Sequence, residues 1–448
     1  MKKKKLFLLV AIVAIIAAIS ILIVFLVTQE NDETEDPLSG SERPTRPVDS
    51  ELSGVITFSW WGDEELHHAT NAVVQLFTDL NPDVTIHTEY GSWDSWQADG
   101  AEADLMQVNF DWLTIYSPFG DIFMDLEDSS IASHLDLSNW DSQYIDMMRR
   151  NGVVQGVPVG MTARVPFMRA DIYTAAGLDI QDINTWEDLM EAGRVIQEYH
   201  ENDVFALSSL EPQAMAYLMF SYIEQLTGRP FVDDDFMFNY TEEELEQGFQ
   251  LIQDFMDNGV IPDWEFASEP TNASNPMWVE GYWGGISEWD SSINAWINPL
   301  ENGEEVIEAR PQFTMDGALS SGWMSRPSTI FAISEDAEYP EVAAAFLNFM
   351  LTDEEAIEIM GTNHGIPLNH VGRAHFDELG LEGLAARASA IHANAETTVM
   401  NPIFEFTEVR EVYESQLLAI FYRVTTVEEA AAFVYNHIQA VIDAFVDR

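Results

Sequence analysis

The spacing of apolar positions changes character from segment to segment along this chain, and each spacing predicts an element. Leu6 to Val27 is an unbroken apolar run whose only polar member is Ser20. A spanning helix needs ~20 such residues, whereas a signal-peptide core uses ~7–15. The run therefore predicts an uncleaved membrane anchor, with a cleaved signal as the alternative. Lys2 to Lys5 precede it, which keeps that end inside and places everything after Val27 outside. Thr28 to Ser53 is rich in Glu, Asp, Pro, Ser and Arg and predicts a flexible tether.

Val55 to Trp60 predicts a short strand, and Trp61-Gly62-Asp63 turns the chain. Leu66, Ala69, Val73, Leu76, Phe77 and Leu80 then fall at helical spacing, and Asn81-Pro82-Asp83 stops the helix. Val84 to Tyr90 alternates as a second strand. A β-α-β unit of this kind predicts two parallel strands with a right-handed crossover. Asp104 to Phe110 predicts a further strand of the same sheet. Gly156 to Met161 is a short strand leading into Thr162-Ala163-Arg164, which we assign to a crossing between two lobes.

Beyond that crossing the pattern is mainly helical. Thr185 to Asp188 and Thr241 to Glu244 have capping-box spacing, and the second helix is expected to end at Asn258-Gly259. Tyr339-Pro340-Glu341 begins a helix with Ala343, Ala344, Phe346, Leu347 and Met350 on its buried side. Thr352 to Glu355 opens the next, stopping at Gly361, and Thr426 to Glu429 opens the terminal one.

Open parallel sheets bind ligands at the carboxyl ends of their strands. Trp60, Trp61 and Asp63 follow the first strand there. Asn109, Asp111, Trp112 and Tyr116 follow the later one, and Trp93 and Trp96 sit in a loop after the second. The stretch from Trp278 to Trp296 adds Trp283 and Trp289, interleaved with Glu280, Glu288, Asp290, Ser291 and Asn294. Indoles cover the C–H faces of a sugar ring, and carboxylates and amides grip its hydroxyl edge. The alternative for these tryptophans is a place in the core, with Gly284 and Gly285 marking a close backbone approach.

Composition narrows the function. The chain has 77 acidic against 19 basic residues, a net charge of −58. Its lysines are confined to Lys2–Lys5. Such a surface repels nucleic acid. A hydrophobic fraction of 47% excludes global disorder, and 448 residues imply more than one domain. There is no cysteine, which excludes disulfides, thiol nucleophiles and Cys-bound zinc. His67-His68 point in different directions on a helix and make a poor metal pair. Asp233-Asp234-Asp235 lacks the spacing and central Gly of a calcium loop. No cofactor and no metal is called for.

With these residues in view, the chain from about Val55 onward resembles the extracellular solute-binding proteins of carbohydrate ABC transporters, the maltose-binding-protein-like family 1. The resemblance rests on Ser59-Trp-Trp-Gly-Asp63, Asp104 to Trp112, Gly156 to Gly160, the Trp-rich stretch, Arg326 to Ser334, Pro340 to Met350 and Asn363 to Pro367, in that order. It implies an α/β, two-lobe periplasmic-binding-protein-like fold of class II with the ligand cleft between the lobes. Residues 54–162 and 299–352 are expected in lobe 1, and 163–298 and 353–448 in lobe 2. It implies that Asp63 and Asp111 hydrogen-bond sugar, with Trp112 beside them, and that Trp289 stacks on it. Thr162 and Gln213 stand at further contact positions, and Trp323 and Arg326 in a loop that often faces the cleft. The implied partners are an oligosaccharide, ABC permease subunits and the membrane through the N-terminal helix, with no catalysis and no nucleic acid. Members from bacteria lacking an outer membrane usually carry an acylated Cys, a route that this cysteine-free chain lacks.

Two rival readings remain open at this level. A glycoside hydrolase would use two carboxyl groups ~5–9 Å apart, although no Gly-x-Ser-x-Gly or His-Glu-x-x-His pattern is present. A surface-structural adhesin would need no aromatic-lined cleft.

Overall fold

The computed structural model describes residues 52–91, 103–117, 119–201, 203–208, 211–233, 236–263, 272–380 and 383–446. The expected anchor at 6–27, the expected tether up to 51, Trp93, Trp96, Asp234 and Asp235 lie outside the described residues. The chain divides into two units, Met1–Val48 and Asp49–Arg448, and all described residues belong to the second. Among the described residues no helix is long and apolar enough to cross a membrane.

The strands, in chain order, are β1 (Gly54–Trp61), β2 (Val84–Gly91), β3 (Leu105–Val108), β4 (Arg149–Arg150), β5 (Val153–Val154), β6 (Val157–Pro158), β7 (Met161–Arg169), β8 (Gly285–Trp289), β9 (Ile307–Ala309), β10 (Met324–Pro327), β11 (Ile330–Ile333) and β12 (Thr398–Val399). One sheet has the order β2-β1-β3-β11-β6, and another β12-β10-β7-β8, with β9 also on β7. β1 is parallel to β2 and β3, as the β-α-β reading requires, while β11 runs antiparallel to β3 and β6.

The first lobe forms around β1 because Ile56, Phe58 and Trp60 alternate inward. The helix Glu64–Leu80 covers them with Leu66, Val73, Val74 and Phe77. The helix Pro340–Thr352 closes the core with Phe346 5.3 Å from Phe58, ring centre to ring centre. In the second lobe, the helices Pro212–Thr227, Glu242–Asp257, Thr407–Phe421 and Val427–Val446 bury one side through Phe220, Phe249, Phe255 and Tyr413. The other side holds Ala163, Val165 and Phe167 with Trp278, Trp283, Trp296 and Trp323.

The helix starts follow the capping logic. Thr185 and Thr241 close capping boxes, and Thr426 exchanges hydrogen bonds with Glu429. One start shifts by a residue: Asp353, not Thr352, caps Glu354–Met360, accepting from the amides of Glu355 and Ala356. A carboxylate is the stronger acceptor at a helix N-terminus.

The chain crosses between sheets at Val159-Gly160, and again at Ser328-Thr329. The Val159 amide donates to Thr329 O and the Ser328 amide to Gly160 O, both at 2.8 Å; the Leu368 amide donates to Val159 O at 2.8 Å. Gly160 is required by that meeting. A Cβ there would lie 2.9 Å from Ser328 Oγ and 3.0 and 3.1 Å from the carbonyls of His364 and Ile366.

The observed pairing redraws the expected lobe boundaries. Residues 299–327 were expected in the first lobe, but β9 and β10 both hydrogen-bond to β7 of the second sheet. The helix Glu354–Met360, expected in the second, buries Ala356 and Met360 in the first core. Pairing partners so far apart along the chain leave no mark in local spacing.

Candidate functional site

Two strand ends and one sheet face build the candidate site. At the carboxyl ends of the neighbouring strands β1 and β3, Trp61 and Trp112 lie 5.5 Å apart, ring centre to ring centre. Trp112 opens the short helix Trp112–Ile115, so Tyr116 falls one turn on. Its ring lies 5.7 Å from Trp112, edge to face, and is 54% exposed. The three rings form a half-open aromatic ledge on the first lobe.

The second lobe contributes a charged face. Register places Arg164 of β7 opposite Trp289 of β8, and Thr162 of β7 opposite Arg326 of β10. With the period of two, Arg164, Trp289 and Arg326 share one face. The Arg326 guanidinium lies 4.4 Å from the Trp289 ring centre and that of Arg164 5.1 Å. Tyr217 meets the same indole edge-on at 5.3 Å. Trp289 was expected to stack on sugar; here guanidinium groups lie over its ring, held by cation–π attraction.

The lobes meet at this face. Arg326 Nη1 donates to Asn109 Oδ1 at 3.0 Å. Arg326 Nε lies 3.3 Å from Glu405 Oε1, which also accepts from the Tyr217 hydroxyl at 2.8 Å. Arg164 pairs with Glu211 at 3.4 Å and Glu288 at 4.0 Å. Asp111 and Glu405 are each 7% exposed, and Asp111 Oδ1 and Glu405 Oε2 have no hydrogen-bond partner. Burial first and the Glu405 carboxylate second push the Asp111 carboxyl up to about 7, against the pull of Arg326 and Arg410. Burial likewise pushes Glu288 up, opposed by Arg164.

Several expected site residues do other work. Trp60 is 1% exposed. It stacks on Tyr90 at 4.9 Å and donates from Nε1 to His67 Nδ1 at 3.1 Å, so it belongs to the first core. Asp63 is exposed, and its carboxylate caps the following helix by accepting from the Leu66 amide at 2.9 Å. Trp283 is fully buried among Trp278 and Trp296. Trp323 is buried with them and donates from Nε1 to Arg164 O at 2.8 Å. Asp290 is fully buried. It accepts from Thr162 Oγ1, Ser389 Oγ and the Ala163 amide, and its Oδ2 lies 2.9 Å from His392 Nε2. Asp290 and Thr162 therefore satisfy one another inside the lobe rather than facing a ligand. Gln213 is half-buried in the first turn of Pro212–Thr227, next but one to Glu211.

The structure thus brings together Trp61, Asn109, Asp111, Trp112, Trp289 and Arg326. It adds Arg164, Tyr217, Glu211 and Glu405, none of which carries a motif. A cavity of about 370 Å3 lies apart from this group, lined by Tyr144, Met161, Ser325, Ser389, His392 and Thr397 among others. Ser325 alternates to the sheet face opposite Arg326. Another, of about 460 Å3, is lined by Arg194, Glu198 and Asn258 at the surface of the second lobe. Among the described residues no group of three or more His, Cys, Asp or Glu is arranged to hold a metal ion.

Known proteins share this architecture. A solved periplasmic oligogalacturonide-binding protein from Yersinia enterocolitica, in complex with saturated digalacturonic acid, is 24% identical; the match covers 87% of this chain and 99% of that one, with a TM-score of 0.80. A periplasmic solute-binding protein from Pectobacterium atrosepticum is 26% identical over 88% of this chain and all of that one, with a TM-score of 0.81. An arabinooligosaccharide-binding protein from Halalkalibacterium halodurans is 23% identical over 223 residues. That match spans about half of each chain, 48% of either. Residues 64–357 match the family described as bacterial extracellular solute-binding protein, and the chain belongs to that family.

Proposed function

We propose that this protein binds an oligosaccharide between its two lobes and delivers it unchanged to the permease subunits of an ABC importer. The observation that carries the reading is the joining of two unlike surfaces. The ledge of Trp61, Trp112 and Tyr116 on one lobe suits the C–H faces of sugar rings. The Arg, Asp and Glu face on the other suits their hydroxyls. A ligand touching both favours the closed arrangement by its differential affinity for it. The ligands named for two relatives support a sugar, arabinooligosaccharides in one case and digalacturonic acid in the other.

Asp111 and Glu405 are the pair that a hydrolase reading would choose, since one carboxyl group of the two is raised towards neutrality. Prolonged incubation of a bound oligosaccharide with concentrated pure protein separates the readings. Recovery of intact sugar is expected; shorter products that persist with purification would overturn pure binding.

The protein works at the outer face of the cytoplasmic membrane, held there by residues 6–27. The apolar run behind Lys2–Lys5 and the absence of cysteine support this. Intact mass of membrane-derived protein decides it, with a mature N-terminus beyond Val27 as the contrary result.

A further inference from the structure

We propose that Asp111 and Glu405 act together as a charge filter, so that the ligand is an uncharged oligosaccharide and chains bearing uronate groups are excluded; this rests on the binding reading above. Each guanidinium in the group already faces a carboxylate. Arg164 faces Glu211 and Glu288, Arg326 faces Glu405, and Arg410 pairs with Glu414 at 2.7 Å. Asp111 adds a further carboxyl, so acidic groups outnumber basic ones where ligand would sit.

The unsatisfied atoms point the same way. Asp111 Oδ1 and Glu405 Oε2 are buried acceptors without partners, and Arg164 Nε and Arg326 Nε are buried donors without one. A hydroxyl both donates and accepts, and can satisfy either kind. A carboxylate accepts only. It could meet the two donors, but it would leave both orphaned oxygens unmatched and set a third negative charge beside them in a poorly solvated place. Asp111 comes from the first lobe and Glu405 from the second, so the filter is assembled only where the lobes meet. The charged and titratable groups acting on Asp111 are Glu405, Arg326 and Arg410. Tyr217 holds Glu405 in place through its hydroxyl.

Calorimetric titration of the full-length protein with arabinotriose, xylotriose, maltotriose and trigalacturonic acid tests this at pH 8. At least one neutral trisaccharide is expected to bind, with trigalacturonic acid at least tenfold weaker. That gap should narrow several-fold at pH 6, where Asp111 holds a proton. It should narrow also in Glu405→Gln at pH 8, with a melt of the variant confirming that it folds. Trigalacturonic acid bound as tightly as the best neutral sugar would overturn the filter while leaving sugar binding intact. A gap unmoved by both pH and substitution would overturn its assignment to these two residues. Heat from no oligosaccharide at all would overturn the binding reading, and this inference with it.

Discussion

Arg326 Nη1 donates to Asn109 Oδ1 at 3.0 Å, and this hydrogen bond joins the strand end of one lobe to the central sheet of the other. The same guanidinium covers Trp289 and faces Glu405, so one side chain touches both surfaces of the candidate site. Arg326→Ala should loosen the meeting of the lobes. A charge-assisted hydrogen bond is worth ~1.5–3 kcal/mol, and we expect oligosaccharide affinity to fall roughly tenfold or more by calorimetry. Arg326→Lys should not restore it, because an ammonium cannot span Asn109, Trp289 and Glu405 together.

The aromatic ledge and the buried tryptophans should separate cleanly. Trp112→Ala removes the middle ring of the ledge. It should weaken sugar binding by ~1–2 kcal/mol, roughly 5- to 30-fold in Kd. Trp283→Ala empties a core position and should cost ~3–5 kcal/mol of stability, with affinity nearly unchanged in whatever fraction remains folded. Paired melts and titrations of the two variants check this; the reverse pattern would place the site elsewhere.

Asp111 makes stability depend on pH. Folded, it keeps its proton up to about pH 7, whereas an unfolded Asp releases it near ~3.9. Between those values the folded chain binds more protons than the unfolded one, so stability falls as pH rises and levels off above about 7. The slope is at most ~1.4 kcal/mol per pH unit. Asp111→Asn lacks this slope. It should melt close to the wild type near pH 4 and above it at pH 8, in parallel thermal scans. A variant that melts below the wild type at pH 8 would show that the Asp111 charge is stabilising.

The opening of the first lobe was legible in the sequence because its β-α-β contacts are local. β1, its helix and β2 follow one another, and alternation alone aligned them. The strand-end rule likewise picked out Asn109, Asp111 and Trp112. The second lobe was harder for a physical reason. Its central strand β7 pairs with β8 and β10, each more than a hundred residues away, so the shared face of Arg164, Trp289 and Arg326 exists only once those registers are set. The Trp-rich stretch divides for the same reason. Its strand spans only Gly285–Trp289, and Trp278, Trp283 and Trp296 lie outside it and turn into the core. Glu405 sits in a short 3-10 turn, Pro402–Glu405, with no spacing to mark it.

Gly160 carries the crossing segments. Gly160→Ala would press a methyl group against Ser328 Oγ and two carbonyl oxygens, at a cost of ~1–3 kcal/mol if the neighbours cannot shift. A lower melting temperature and a changed radius of gyration in small-angle scattering are expected. An unchanged melt and radius would mean that the crossing accommodates a side chain freely.

Hydrogen exchange with and without a bound oligosaccharide shows whether both lobes hold the ligand. Added protection is expected in both lobes at once, over residues 105–117 on one side and over 285–289, 324–327 and 402–406 on the other. Protection confined to one lobe, or centred on the cavity lined by Met161, His392 and Thr397, would contradict binding between the lobes.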